Sequence, residues 1–258
     1  MSSVRQTEST VRIGLVYPEL LGTYGDRGNA VVLVERCRRR GIAAELVSIA
    51  ASEPLPDCLD LYLFGGGEDN PQSLAAARMR ESEGALARAR SAGAVVFAVC
   101  AGFQLIGHRY ETGTGEMLEG LGLVDVTTVG GSPRLIGEVV VEPDPTTGLP
   151  TLTGFENHSG RTTLGPGVRP LGRVLHGGGN GNGFDGVLAD RLLATYLHGP
   201  ALPRNPALAD FLLAWIVGSD ALTPIDDHLT DALHAERLAA ATATGWKARI
   251  QVLRTNRG

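Results

Sequence analysis

The chain has 258 residues, 43% of them hydrophobic and 20% charged, which is enough for one large domain with a sizeable core. Its net charge of -5 excludes nucleic-acid binding driven by bulk electrostatics, and no apolar run approaches the roughly 18–20 residues that cross a bilayer. Three widely spaced cysteines form neither a disulfide framework nor a zinc pattern. Together with the missing signal peptide, they predict a cytoplasmic protein without a bound metal.

The first half of the chain alternates predicted strands with predicted helices. A polar segment, residues 1–10, is expected to be disordered. Apolar runs then predict strands over residues 11–17, 42–49, 59–64 and 94–99. Between and after them, helical patterns cover residues 26–40, a stretch within 71–92, and 101 to about 108. This alternation, with continuously apolar strands, predicts an α/β protein with a doubly wound, mostly parallel sheet.

The second half predicts extra antiparallel strands and then helices. Shorter strands separated by Gly, Pro and Asn turns are expected over residues 121–129, 135–142, 168–175 and 186–196. The glycine tract 177–183 lacks the Lys-Ser/Thr of a P-loop and is interpreted as a flexible turn. Helices are predicted over 206–217 and 227–243. The expected organisation is one domain over residues 11–217 and a helical, basic extension over 218–258.

Cys100 stands where a buried strand meets a helix. It follows the apolar run 94–99, and small residues open the helix after it. α/β enzymes expose a nucleophile at such a turn, because the turn excludes bulky neighbours and the helix N-terminus stabilises a thiolate. A buried, inert cysteine fits the same residues, since free cysteine is among the most buried residue types. A base and oxyanion donors elsewhere in the chain would favour the nucleophile.

His198 is the best candidate for the base that a thiol nucleophile needs. It ends the apolar run 193–197 and precedes Gly-Pro, so its ring is expected to face the cleft at the carboxyl edge of the sheet. A strand-end histidine that only packs on its neighbours is the alternative. His158, in the polar cluster 155–161, is interpreted as a hydrogen-bonded loop histidine rather than a second base or a substrate contact.

Backbone N–H groups are the candidate oxyanion donors. One is that of Ala101, directly after the cysteine, and the other belongs to the loop 65–67, where missing side chains let a carbonyl approach the backbone. Gly66 is the first choice and Gly67 the second, and a plain glycine turn is the alternative. Arg134, in a loop before a strand, is a candidate to clamp a substrate carboxylate, although without context a solvated surface arginine is the favoured interpretation.

Taken together, these segments resemble the class I (triad-type) glutamine amidotransferases. The resemblance rests on the glycines at 65–67, on CAGFQ at 100–104 and on YLH at 196–198. Further motifs are similar to the cobyric-acid-synthase-like branch, and within it to the glutaminase subunits of lipid II isoglutaminyl synthases: GTYGDRGN at 22–29, FENHSG at 155–160 and LHGP at 197–200. The resemblance covers about residues 11–217 and implies a flavodoxin-like class I amidotransferase fold.

The resemblance also implies a function. Such a subunit would hydrolyse L-glutamine to glutamate and ammonia, with no cofactor of its own. A Mur-ligase-like partner, in a heterodimer, would use ATP and Mg²⁺ to activate the D-glutamate carboxyl of the lipid II stem peptide, and ammonia would convert it to D-isoglutamine. The complex would be cytoplasmic and would reach lipid II at the inner face of the membrane through the partner.

By the same resemblance, each motif residue has an expected role. Cys100 is the nucleophile, His198 the general base and acid, Gln104 a group near the substrate, and Arg134 the ligand of the glutamine α-carboxylate. The chain departs from the class pattern at Pro200, where many members have the glutamate that orients the histidine. We expect the partner to supply this acid; the alternatives within the chain are Asp185 and Asp190.

Three other functions compete with this one. A corrin-amidating glutaminase belongs to the same branch, but such enzymes usually carry an N-terminal ATP-using domain, and here the amidotransferase strand is predicted near residue 11. An amidotransferase fold kept as a non-catalytic binding subunit is disfavoured by the presence of Cys100, His198, Gln104 and Arg134 together. A cysteine peptidase or other thiol hydrolase of similar fold is disfavoured by Arg134 and Gln104, which suit an amino-acid substrate.

Overall fold

Two six-stranded sheets form the framework of the protein. The computed structural model describes residues 10–22, 25–67, 69–112 and 115–255, of which 69–71 and 242–255 are described by their backbone alone. The predicted disorder of residues 1–10 falls almost wholly outside this part. In chain order the strands are β1 (Val11–Val16), β2 (Ala44–Ile49), β3 (Leu61–Phe64), β4 (Val95–Val99), β5 (Arg109–Glu111), β6 (Met117–Glu119), β7 (Val126–Pro143), β8 (Leu152–Leu164), β9 (Gly172–His176), β10 (Phe184–Asp185), β11 (Val187–Ala189) and β12 (Leu192–Thr195).

Helices connect and cover these strands. In chain order they are α1 (Arg27–Arg38), α2 (Asp69–Glu81), α3 (Glu83–Ser91), α4 (Ala101–Ile106), α5 (Ala201–Arg204), α6 (Pro206–Val217) and α7 (His228–Thr255). The single helix expected within 71–92 is therefore two, separated at Ser82, whose buried hydroxyl accepts a hydrogen bond from the Leu55 N–H at 3.1 Å. Within the described residues, no helix is long and apolar enough to cross a membrane.

The first sheet has the predicted doubly wound, mostly parallel arrangement. Its strand order is β11-β12-β4-β3-β1-β2; β12, β4, β3, β1 and β2 run parallel, and β11 is antiparallel at one edge. Every residue of β3, β4 and β12 is buried, which agrees with their continuously apolar sequences. The α/β class is thus confirmed, and the carboxyl ends of β3, β4 and β12 meet at one edge of the sheet.

The second sheet contains the extra antiparallel strands. Its order is β10-β9-β7-β5-β6, with β8 paired to β7. The two strands predicted over 121–129 and 135–142 are one long strand, β7, interrupted by a register shift between Gly130 and Leu135. Its partner β8 was not predicted, because the polar residues Glu156 and His158 occupy its buried face and conceal the usual alternation.

The C-terminal extension is held to the main domain by a partly buried ion-pair cluster. Arg36 of α1 binds both Asp210 of α6 and Asp227, just before α7, at 2.7 Å each. α7 then packs on α5 and on strands β7, β8 and β9 of the second sheet. The glycine tract 177–183 is a turn, as predicted, and two of its N–H groups donate to the Glu156 carboxylate at 2.7 and 2.9 Å.

Candidate active site

Cys100 occupies a strained turn between β4 and α4. Its φ of 51° and ψ of -105° lie in a region that residues with a side chain rarely adopt. A nucleophile on a sharp strand-to-helix turn has this kind of conformation, since the turn pushes the side chain out at the sheet edge. The residue is only 5% exposed, yet it lines a surface cavity. Its surroundings therefore suit a nucleophile in a cleft better than an inert core thiol.

The turn is closely packed against the end of β3. A Cβ placed on Gly102 would lie 2.5 Å from the backbone oxygen of Phe64, so this position admits only glycine without displacement. The Gly102 N–H also donates to the Gly65 oxygen at 3.0 Å. The small residues that follow Cys100 in the sequence thus allow α4 to touch the glycine loop 65–67.

One cavity brings together four of the six predicted site residues. Cys100, Ala101, Gln104 and Arg134 all line it. The other lining residues come from the glycine loop, α2, β5 and its following turn, β7 and β8: Gly67, Gln72, Glu111, Thr112, Gly130, Asn157, His158, Ser159 and Gly160.

His198 lies at the same edge of the sheet as Cys100. In the parallel pairing of β12 with β4, Thr195 is opposite Val99, and the Cys100 N–H donates to the Thr195 oxygen at 3.0 Å. His198 follows three residues later, fully buried, and its backbone pairs with Phe155 of β8. Burial, with smaller contributions from nearby His158 and Arg134, lowers the pKa of His198 to about 3. The ring is therefore neutral near pH 7, and its surroundings in this subunit alone make it a weak proton acceptor.

Neither of the two carboxylates considered for orienting His198, Asp185 and Asp190, is placed to do so. Asp185 is fully buried on β10, where its carboxylate accepts hydrogen bonds from the Thr195 hydroxyl and the Tyr196 N–H. Burial raises its pKa to about 7. It thus holds the strand end that leads to His198. Asp190 is exposed in the turn between β11 and β12, at the opposite end of β12 from His198, which is incompatible with an orienting role.

The structure favours Gly67 over Gly66 as the oxyanion donor of the glycine loop. The Gly66 N–H donates to the buried Asp26 carboxylate at 2.6 Å and is therefore directed away from the cavity. Gly67, the second choice from the sequence, lines the cavity with Ala101. The choice of Gly66 is corrected for this reason, because one N–H group cannot serve a buried carboxylate and a substrate oxyanion together.

Arg134 reaches the cavity from the irregular part of β7. Gly130 is opposite Gly160 and Leu135 is opposite His158, so residues 131–134 loop out where β8 has only one residue. The Arg134 guanidinium donates to the side-chain and backbone oxygens of Asn157 at 2.7 and 3.0 Å. Asn157 therefore holds an exposed arginine at the cavity wall.

Gln104 belongs to a hydrogen-bonded wall beneath the cavity. Its side-chain oxygen accepts from Gln72 at 2.8 Å, and its side-chain nitrogen lies 3.4 Å from the Tyr196 hydroxyl. The Tyr196 ring in turn stacks on His158, with ring centroids 3.7 Å apart and an interplanar angle of 9°. His158 is consequently a buried strand residue facing the cavity, rather than the loop histidine inferred from the sequence.

Glu111 is a cavity residue that the sequence alone did not identify. This residue ends the three-residue strand β5, lines the cavity, and accepts a hydrogen bond from the Gly130 N–H at 2.7 Å. Its isolated carboxylate carries no motif that would single it out. With Arg134 it gives the cavity one group of each charge.

Comparison with known proteins identifies the family. A profile of the CobB/CobQ-like glutamine amidotransferase domain matches residues 12–206. This chain is a CobB/CobQ-like glutamine amidotransferase. The amidotransferase recognised from the cysteine, glycine and histidine motifs is thereby confirmed, and with it an enzyme rather than a binding subunit.

Relatives of this amidotransferase include two proteins that share one name. The Lipid II isoglutaminyl synthase (glutamine-hydrolyzing) subunit GatD of Staphylococcus aureus is 39% identical over 196 residues, which cover 75% of this chain and 79% of that protein. The protein of that name from Streptococcus pneumoniae is 33% identical over 203 residues, 77% of each chain. Cobyric acid synthase of Pelotomaculum thermopropionicum is 33% identical over 172 residues, but these are only 32% of that protein.

Solved structures share the fold of the amidotransferase. A crystal structure of a glutamine amidotransferase aligns with a TM-score of 0.56 at 22% identity, covering 79% of this chain and 98% of that one. A glutamine amidotransferase from Thermotoga maritima aligns with a TM-score of 0.50 at 13% identity, covering 90% and 93%. The predicted class I amidotransferase fold is confirmed.

Proposed function

We propose that this amidotransferase is the glutaminase subunit of a lipid II isoglutaminyl synthase. It hydrolyses L-glutamine to glutamate and ammonia, and a Mur-ligase-like partner uses the ammonia to amidate the D-glutamate of the lipid II stem peptide to D-isoglutamine. The proposed hydrolysis of glutamine rests on one observation: a strained cysteine shares a cavity with an arginine at the end of a parallel sheet. The similarity to the two GatD subunits supports the proposal that this chain belongs to a lipid II isoglutaminyl synthase.

The charges at the cavity suit a free amino acid. Arg134 offers a planar guanidinium for the α-carboxylate of glutamine, and Glu111 offers a carboxylate for its α-ammonium group. A peptidyl glutamine has neither charge, so this pair of groups favours glutamine itself over a peptide substrate.

The chemistry follows from the neighbouring groups. The Cys100 thiol gives its proton to neutral His198 as its sulfur attacks the side-chain amide carbon of glutamine, and the N–H groups of Gly67 and Ala101 stabilise the oxyanion that forms. His198 protonates the departing nitrogen, which leaves as ammonia and yields a glutamyl thioester. His198 then takes a proton from water, the resulting hydroxide attacks the thioester, and glutamate leaves while the thiol is restored.

The partner is expected to complete the site. Pro200 occupies the position where many class I enzymes have the acid that orients the histidine. Asp185 is hydrogen-bonded to the end of β12, and Asp190 lies at the opposite end of that strand. A base without an orienting acid is weak. We infer that the partner supplies this carboxylate as well as the ATP and Mg²⁺ site, and that the isolated subunit hydrolyses glutamine slowly. Full glutamine turnover by the subunit alone would contradict this.

The test is reconstitution with the captured partner. The chain is co-purified from cells, the associated protein is identified, and amidation of lipid II is measured with ATP and either glutamine or ammonium chloride. The wild-type complex is expected to use both nitrogen sources, whereas a complex with Cys100→Ala should use ammonium alone. Amidation of a corrin substrate instead of lipid II would favour the cobyric-acid-synthase-like alternative, and glutamine use by the Cys100→Ala complex would refute the assigned nucleophile.

A further inference from the structure

Asp26 stands at the N-cap of α1 but does not cap it. An aspartate at this position usually accepts a hydrogen bond from an N–H of the first turn, which stabilises the helix by about 1 kcal/mol. Here the carboxylate instead accepts the Gly66 N–H at 2.6 Å and a side-chain N–H of Asn29 at 3.1 Å. It is fully buried, and burial raises its pKa to about 6. The carboxylate is thus desolvated and diverted from its helix toward the glycine loop.

Asn29 extends this contact to the segment after His198. Its side-chain oxygen accepts the N–H of Leu202, the second residue of α5, at 2.8 Å. Close packing accompanies the bond: a Cβ on Gly28 would lie 2.6 Å from the ring of Pro200. A continuous chain of hydrogen bonds therefore runs from Gly66 through Asp26 and Asn29 to the turn that follows His198.

The glycine loop is held from two sides. The Gly65 oxygen accepts from Gly102 of α4 at 3.0 Å, and the Gly66 N–H is bound to Asp26. A Cβ on Gly65 would lie 2.0 Å from the Leu21 oxygen, so the backbone of the segment between β1 and α1 packs directly against the loop. Gly67 comes next and lines the cavity. Its position at the cavity makes its N–H the candidate donor of this loop to a substrate.

We propose that Asp26 is a positioning residue for glutamine hydrolysis. With Asn29, it fixes the glycine loop so that the Gly67 N–H serves as oxyanion donor opposite Ala101, and it keeps this loop in register with the segment that carries His198. The inference rests on the proposed glutaminase activity and deepens it. Asp26 acts through Gly66, without touching the substrate.

A reciprocal exchange tests the polarity of this hydrogen-bond chain. Asp26→Asn keeps the size of the side chain but replaces one of its two acceptor oxygens with an NH₂ group. This group then faces a donor, either the Gly66 N–H or the Asn29 NH₂ group. Asn29→Asp places a second carboxylate against the first. In the double variant the new amide can accept from Gly66 and donate to the new carboxylate, which still accepts from Leu202. The double variant therefore restores every hydrogen bond, with the negative charge on residue 29 instead of residue 26.

The variants are assayed as complexes with the partner, for glutamine hydrolysis per site. Sites are counted by complete labelling of Cys100 with a glutamine-analogue electrophile. We expect each single variant to lose about 10- to 100-fold in kcat with KM within about threefold, and the double variant to recover to within about threefold of the wild type. Asp144→Asn is the matched control, because it changes an aspartate that caps a surface 3₁₀ turn. It should leave kcat unchanged.

Several outcomes would overturn the inference. Asp26→Asn would overturn it with an unchanged or raised kcat, or with fewer labelled sites at an unchanged kcat per site. A double variant that folds but stays slow would overturn it as well. Should Asp26→Asn fail to fold, the double variant decides alone: near-wild-type kcat supports positioning, and a folded variant about tenfold slower refutes it. A wild-type complex without glutaminase activity overturns the proposed function itself, which separates that failure from any effect of the variants.

Discussion

Gly102→Ala should destabilise the protein and slow its chemistry together. The added Cβ would lie 2.5, 2.7 and 2.8 Å from the O, Cβ and C atoms of Phe64. Ordinary carbon contacts need about 3.5 Å, so α4 must move by about 1 Å from the end of β3. That movement breaks the 3.0 Å hydrogen bond from Gly102 to Gly65. Overpacking and the lost bond should lower the free energy of unfolding by about 2–3 kcal/mol, after a helix-propensity gain of about 1 kcal/mol.

The same movement shifts Cys100 relative to the glycine loop. A misplacement of about 1 Å costs on the order of 10²-fold in rate, which sets the expected loss of glutamine hydrolysis. Urea unfolding and steady-state hydrolysis by the partner complex measure the two effects. The control is Gly84→Ala in α3, where the nearest atom to the added Cβ is Arg88 Nη1 at 3.5 Å. Equal stability of the two variants, with Gly102→Ala within about threefold of wild-type activity, would refute the packing argument.

Three further predictions concern the nucleophile, the substrate clamp and a buried acid. Cys100→Ala should abolish ammonia release from glutamine, measured by a coupled ammonia assay, while the partner still co-purifies; release near the wild-type rate would mean another nucleophile. Arg134→Lys should raise KM for glutamine about tenfold or more with a smaller change in kcat, because a point charge cannot bind a carboxylate in two places. An unchanged KM would place the α-carboxylate elsewhere. Asp185 has a pKa raised to about 7, so its contribution to stability is present below its unfolded pKa and is lost as pH rises toward 7. The unfolding free energy of the wild type relative to Asp185→Asn should therefore fall by about 2–3 kcal/mol between pH 5 and 8, and a difference independent of pH would contradict the buried-acid assignment.

Local sequence signals were sufficient for strands β1 to β4 of the first sheet and for the thiol turn. The run 186–196, predicted as one strand of the antiparallel extension, is instead the strand pair β11 and β12 of this sheet. Continuous apolar runs identified the buried parallel strands, and the glycines that follow α1 and α3, Gly41 and Gly93, have positive φ. The position of Cys100 after such a run predicted its turn, because a strand that ends at a sheet edge leaves few conformations for the next residue. The bounds of α6 were also as predicted.

Strand β8 and the loop that carries Arg134 depend on long-range packing and could not be predicted from local sequence patterns. β8 escaped prediction because its buried residues are polar, and the fold provides their partners. Glu156 accepts hydrogen bonds from the turn at 178–179, and the His158 ring stacks on Tyr196 while its Nδ1 lies 3.1 Å from the Gly160 oxygen. The loop-out that brings Arg134 to the cavity depends on the pairing of β7 with β8, and a single strand's sequence does not specify that register.

The sequence by itself therefore determined the α/β class, the nucleophile position and the motifs shared with an amidotransferase family, since these depend on short-range patterns. Tertiary structure decided which groups meet around Cys100. It directed the Gly66 N–H to Asp26, left Gly67 at the cavity, and added Glu111 to the cavity that Arg134 also lines. The physical reason is that hydrogen-bond direction and charge pairing are properties of atoms brought together from distant segments, and only the folded chain sets the distances between them.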